Sequence, residues 1–123
     1  MRFLDSNILA YAFYDNENRE RSQTILSEGG VTNTINLIEA HNILQYETTR
    51  ERATQTIRSL LKSNLTILNV DINLVFEALR RADKYPRLKF LDLIHYVSAL
   101  LNNCTEIASY DTDFDNLEIK RIT

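Results

Sequence analysis

The order of its segments predicts that this chain folds as an α/β protein, with helices on both faces of a central parallel sheet of four to five short strands, three layers in all. Three observations carry that expectation. Short runs rich in branched residues alternate with amphipathic helical segments along the chain. The first three of those runs each lead into a residue suited to cap a helix. The 123 residues suffice for one compact domain, residues 1–123, and leave no room for a second.

Arg2 to Leu4 start a first strand, and Asp5-Ser6-Asn7 supplies turn and capping chemistry for a helix beginning near Ile8. Asp15 to Arg21 is polar, then helical character resumes from Ser22 to Ser27 until Gly29-Gly30 stops it. Val31-Thr32 is a minimal second strand. Asn33 and Thr34 cap a third helix running towards Thr48, with Leu37, Ile38, Ile43 and Leu44 at helical spacing. Another amphipathic helix, over 50–62, carries Ala53, Ile57, Leu60 and Leu61 on its apolar face. Leu65 to Val70 reads as a strand, and Asp71 caps a helix whose Val75, Ala78, Leu79 and Ala82 face one way before Pro86 ends it. Phe90 to Asn102 is a strongly apolar helix, Glu106 to Tyr110 a strand and Ile119 to Ile122 a short edge strand.

With 44% hydrophobic and 25% charged residues and only two glycines and one proline, the chain has the balance of a folded protein, which excludes disorder. The lone Cys104 excludes an internal disulfide and a thiolate zinc site. No apolar run reaches the ~18 residues of a membrane span, and an acid interrupts MRFLDSN where a signal peptide has its apolar stretch. A cytoplasmic protein without membrane association is expected. Net charge is −3, so the basic footprint of a protein that holds nucleic acid by surface charge alone is missing. A polyanionic partner would need positive charge from another source.

Right-handed crossovers bring strand ends and the starts of the following helices to one edge of a parallel sheet. Asp5 ends the first strand and Asp111 follows the strand 106–110, while Glu39 and Asp92 fall in the early turns of their helices. If the first and the later strand are neighbours across a reversal of strand order, Asp5 and Asp111 line the crevice where open α/β sheets bind ligands. Carboxylates gathered there repel and raise one another's pKa unless a counter-charge is present. Mg²⁺ or Mn²⁺ suits such hard oxygen donors, and the ion itself grips a phosphodiester, which answers the problem of the acidic net charge. The chemistry that follows is phosphodiester hydrolysis, with one ion or two acidifying a water and stabilising the leaving oxygen.

The segments FLDSNILAYAF, NLIEAHNIL, FLDLIHYVSAL and IASYDTDFDNL, taken together, resemble the PIN domain, and in particular the VapC-type toxin nucleases of prokaryotic toxin–antitoxin pairs. The resemblance spans essentially the whole chain. It implies a PIN-like sheet flanked by helices, divalent-metal cleavage of RNA, a homodimer, and inhibition by a small antitoxin protein. Carried residue by residue, it makes Asp5 and Asp92 principal metal ligands, with Glu39 and Asp111 completing the catalytic acids. Asn7 and Ser109 match polar positions that orient those acids or contact substrate phosphate. Asp111, Asp113 and Asp115 alternate at the last motif; Asp111 is favoured as nearest the strand end, with Asp113 as a water-mediated or second-metal ligand.

Each acid also has an ordinary reading. Asp5 can be only a helix cap, Glu39 and Asp92 only acids at a helix start, and Asp111 only a turn former; their joint occurrence on one edge favours a site. His95, one turn after Asp92, has ligand-like spacing, but its apolar neighbours favour a hydrogen-bonded, partly buried histidine. Arg80, Arg81, Lys84, Arg87 and Lys89, like Arg50, Arg52, Arg58 and Lys62, can track RNA or form a solvated face. Tyr11, Phe13, Tyr14 and Ile35 are candidates for packing or for a dimer surface. The competing functions are a housekeeping PIN nuclease acting on RNA or DNA without an antitoxin, and a catalytically silent PIN-fold binding module. A phosphoacceptor signalling domain would show adjacent acids after the first strand and a lysine after the last, and neither is present.

Overall fold

Each strand is three residues long, so successive side chains pointing to opposite faces give the sheet only one or two anchors per strand on each side. In the computed structural model, which describes residues 1–123, the strands are β1 (Arg2–Leu4), β2 (Val31–Asn33), β3 (Thr66–Leu68), β4 (Glu106–Ala108) and β5 (Lys120–Ile122). They form one wholly parallel sheet in the order β3-β2-β1-β4-β5. The helices are α1 (Ser6–Tyr11), α2 (Arg19–Ser27), α3 (Thr34–Glu47), α4 (Arg50–Leu61), α5 (Ile72–Arg81) and α6 (Phe90–Leu101), with 3-10 turns at Ala82–Lys84 and Thr112–Phe114.

Chain order runs outward from β1 to β3 and then jumps back past β1 to β4, so the crossovers lay α1 to α4 on one face and α5 and α6 on the other. Neighbouring residues of β1 divide between the two layers. Phe3 joins Val31, Ile107 and the buried faces of α5 and α6. Leu4 joins Ala108 and the buried residues of α1 to α4. Each such fully buried side chain contributes roughly 1.5–3 kcal/mol relative to exposure. The fold is therefore the three-layer α/β/α arrangement that the sequence predicts.

Local chemistry sets the element ends. Asn33, Thr49 and Asp71 cap α3, α4 and α5 by accepting the backbone N–H three residues on. Asn103 takes a left-handed conformation (φ 57) after α6, and the Cys104 and Asn103 amides return to the Ala99 and Leu100 carbonyls. Gly30, at φ 146, stands where a Cβ would meet the Arg2 carbonyl oxygen and a Leu4 methyl at 2.5 Å, so β2 closes against β1 only with glycine there.

Several expectations are corrected. Helix α1 begins at Ser6 because Asp5 caps it directly, and α2 begins at Arg19, where the chain is polar because that turn faces solvent. Strands β3 and β4 stop at Leu68 and Ala108, short of Val70 and Tyr110. Leu61 and Leu79 are exposed rather than on the packed faces of α4 and α5. Tyr11, Phe13, Tyr14 and Ile35 are partly buried against the two cores, with Tyr11 stacking on Tyr110 at 5.6 Å. Ile72, Phe76 and Leu79 form an exposed apolar stripe on α5, and Ile38, Tyr46 and Leu61 of α3 and α4 and Phe90 and Leu91 at the start of α6 are exposed as well.

Candidate active site

The reversal of strand order places β1 beside β4, and their carboxyl ends carry the first two elements of the site. Asp5, the residue after β1, is buried, and its Oδ1 accepts from the Ser6 amide at 2.7 Å and from Asn36 Nδ2 at 3.3 Å. Its Oδ2 accepts from the Ser109 hydroxyl at 2.5 Å. Burial pushes the Asp5 carboxyl above its ordinary range, although the Ser109 hydrogen bond opposes the shift. Ser109 is fully buried and also accepts from the Asp111 amide, which turns the chain out of β4 and directs Asp111 to the same edge.

Glu39 and Asp92 approach from the two helical layers. Asn33, the cap of α3, and Asn36 and Glu39 within it repeat every third residue; on α6, Asp92, His95 and Ser98 do the same. Residues at this spacing share a helix face. The two polar stripes meet beneath the sheet edge, where Asn33 Nδ2 contacts His95 Nδ1 at 3.0 Å and donates to Ser98 Oγ at 3.1 Å. His95 Nε2 lies 2.7 Å from Glu39 Oε1, which also accepts from Ser6 Oγ at 2.5 Å. Burial would raise the Glu39 pKa, but the His95 and Ser6 hydrogen bonds outweigh it and hold the carboxyl below its usual value.

Asp92 has no such donors. Burial first, and then the charges of Asp111, Asp5 and Asp113, push its pKa up to about 6. One carboxylate oxygen from each of Asp92, Asp111 and Asp113 lies within 4.8 Å of the others, and Asp5, Glu39 and His95 form a second group on the same criterion. No lysine or arginine is ion-paired with Asp5, Asp92, Asp111 or Asp113. Asp115 is different: Arg121 of β5 pairs with both its carboxylate oxygens, at 2.6 and 3.3 Å, and also donates to the Ser109 carbonyl. Of the three alternating aspartates, the structure brings Asp111 and Asp113 to the cluster and ties Asp115 to the strand.

Asn7 is half-buried and braces the turn, with its Oδ1 accepting from the Tyr110 amide at 3.3 Å and its Nδ2 donating to Ser109 Oγ at 3.4 Å. Of the basic side chains before α6, Arg80 and Arg81 pair with Glu77, Lys84 with Glu118 and Arg87 with the Asp115 carbonyl, while Lys89, at the start of α6, makes no ion pair. Sequence reasoning missed Ser6 and Asn36 as part of the site and took Asn33 only as a cap. The available signal is the every-third-residue polar stripe, clear on the apolar helix α6 and weaker on α3, whose outer face also carries polar residues. Asn36 Oδ1 is enclosed without a hydrogen-bond partner from the protein.

Solved structures share this architecture. The chain superposes on the VapC20 toxin of Mycobacterium tuberculosis, described as cleaving the sarcin-ricin loop, with a TM-score of 0.81 at 13% identity, covering 97% of this chain and 98% of that one. It is similar to a chain of a toxin–antitoxin complex from Klebsiella pneumoniae, with a TM-score of 0.75, 18% identity and coverage of 100% and 97%. It is also similar to a chain of VapBC2 from Rickettsia felis, solved bound to a promoter DNA fragment, with a TM-score of 0.73, 15% identity and coverage of 98% and 96%. At these identities the likeness is one of fold. No curated protein matches the chain in sequence. The sequence profile of the PIN domain matches residues 2–120, and the chain belongs to the PIN-domain family.

Proposed function

We propose that this protein is a divalent-metal-dependent endoribonuclease and the toxin of a toxin–antitoxin pair. The observation that carries the reading is the convergence of Asp5, Glu39, Asp92, Asp111 and Asp113 at one sheet edge without a lysine or arginine to neutralise the aspartates. The donor set fits a hard cation: every unpaired group is a carboxylate oxygen, and the crowding that raises Asp92 is what such an ion relieves. Asp5, Glu39, Asp92 and Asp111 would hold Mg²⁺ or Mn²⁺, with Asp113 beside them. When bound, the cation supplies positive charge for a phosphodiester and lowers the pKa of water.

The chain's own residues define the rest. Ser109, Ser6 and Asn36 fix Asp5 in one orientation, and the Thr112–Phe114 turn, with Asp111 Oδ1 accepting the Asp113 amide at 2.9 Å, fixes the rim. Ser109 acts through Asp5, because its hydroxyl is enclosed; half-buried Asn7 is the side chain placed to meet a phosphate. No helix is long and apolar enough to cross a membrane, in keeping with action on RNA in the cytoplasm. An antitoxin partner is supported by the toxin–antitoxin complexes among the structural neighbours. A homodimer is supported by the exposed stripe Ile72, Phe76 and Leu79, which Phe76→Glu would abolish in sedimentation if that face is the interface.

Mapping RNA ends by sequencing after brief induction tests the function. New ends at defined positions with the wild type, absent with Asp92→Asn, support it; identical maps contradict it.

A further inference from the structure

The polar residues under the acidic cluster close into a ring. The Asn36 amide donates to Asn33 Oδ1 at 2.8 Å, which fixes the orientation of the Asn33 side chain and turns its Nδ2 towards His95 Nδ1. Because Nδ2 can only donate, Nδ1 of His95 must accept, and the ring proton is on Nε2, where it is donated to Glu39 Oε1. Ser6 Oγ donates to the same oxygen, and Asn36 Nδ2 returns to Ser6 Oγ at 2.9 Å. Asn33, Asn36, His95 and Ser6 are all buried, and the same Asn36 amide group also reaches Asp5. The ring thus links the orientation of Glu39 to that of Asp5 across α1, α3 and α6.

We propose that His95 is a positioning residue of this site, holding Glu39 through Oε1 so that Oε2, which accepts no hydrogen bond from the protein, is the oxygen left for a divalent cation. His95 is then not itself a ligand, although its ring lies within reach of Asp5 and Glu39. The inference rests on the metal reading above. A histidine whose distal nitrogen is anchored by a buried amide has a fixed tautomer and ring plane, the arrangement by which residues behind a ligand tune cation affinity.

The test is titration of the metal-free chain with Mn²⁺ by calorimetry, alongside thermal unfolding in chelator. His95→Leu fills the space without a donor and should bind Mn²⁺ about 10–100-fold more weakly than wild type. His95→Gln, with one acceptor and one donor, should recover most of that loss. Wild-type affinity in folded His95→Leu overturns the proposal and leaves the metal reading standing. Equal weakening in both variants also overturns it, since shape alone would then account for the effect. If wild type binds no Mn²⁺, the metal reading fails and the proposal falls with it. Should His95→Leu not fold, the long-range proton–nitrogen NMR spectrum of the wild type decides. A proton on Nε2 with and without Mg²⁺ supports the positioning role; a proton on Nδ1, or loss of the Nε2 proton with Mg²⁺, overturns it.

Discussion

Ser109 and Asp5 are 104 positions apart in sequence, yet the Ser109 hydroxyl donates to Asp5 Oδ2 over 2.5 Å and ties the ends of β4 and β1 together. The bond does two things at once. It supplies a donor to a buried carboxylate, and it places the oxygen that accepts the Asp111 amide. Ser109→Ala removes both, and a buried hydrogen bond to a charged group contributes about 1.5–3 kcal/mol. Urea denaturation of the metal-free protein should show a loss of that size, with a further rise in the Asp5 pKa. A loss within experimental error would mean that water replaces the hydroxyl and that the two strand ends are not coupled in this way.

Asp92 gives a pH signature. Its folded-state pKa of about 6 stands above the ordinary value of 3.8, so across that window the folded state holds a proton that the unfolded chain has released. The contribution of Asp92 to the stability of the metal-free protein therefore falls as pH rises from about 4 to about 6, and stays lower above it. Asp92→Asn keeps the side-chain shape but has no such proton. Its thermal midpoint in chelator should fall less over the same window and exceed that of wild type at pH 7. The burial of Asp5 adds a fall of the same sign to both proteins, so the difference between them reads Asp92 together with its repulsion of Asp5, Asp111 and Asp113.

The three alternating aspartates separate by their partners. Asp111→Asn removes a charge from the cluster, whereas Asp115→Asn weakens the Arg121 pair at the side of the turn. The expected outcome is a large loss of Mn²⁺ affinity in the first and near wild-type affinity in the second. The Asp115 carboxylate faces solvent, so its pair with Arg121 contributes little to stability. Equal effects of the two substitutions would contradict the assignment of Asp115 to a bracing role.

Much of this was legible in the sequence because the signals are local. Asn33 and Asp71 announce helix starts, and Gly29-Gly30 announces the turn into β2. The four acids stood out because each falls at a strand end or helix start and their order resembles a known family. Other features depend on distance in space. The first turn of α2 has no apolar periodicity, since only Ser22 and Ile25 of that helix are buried. The exposure of Leu79 follows from α5 packing through Leu74 and Ala78, which a helical wheel does not separate from its neighbours. The ring of Ser6, Asn33, Asn36 and His95 is assembled from three helices and a strand end, and apart from the Asn33–Asn36 cap no local pattern pairs one member with the next.

RNA cleavage by the acidic cleft, through a cation held by its carboxylates, is tested most directly with an end-labelled RNA and the purified chain in Mg²⁺, in excess chelator and after Mg²⁺ is restored, with Asp92→Asn in parallel. The expected outcome is cleavage that chelator abolishes and Mg²⁺ or Mn²⁺ recovers, and a loss of orders of magnitude in folded Asp92→Asn. Cleavage that persists in chelator, or an Asp92→Asn protein that cuts at the wild-type rate, would contradict it.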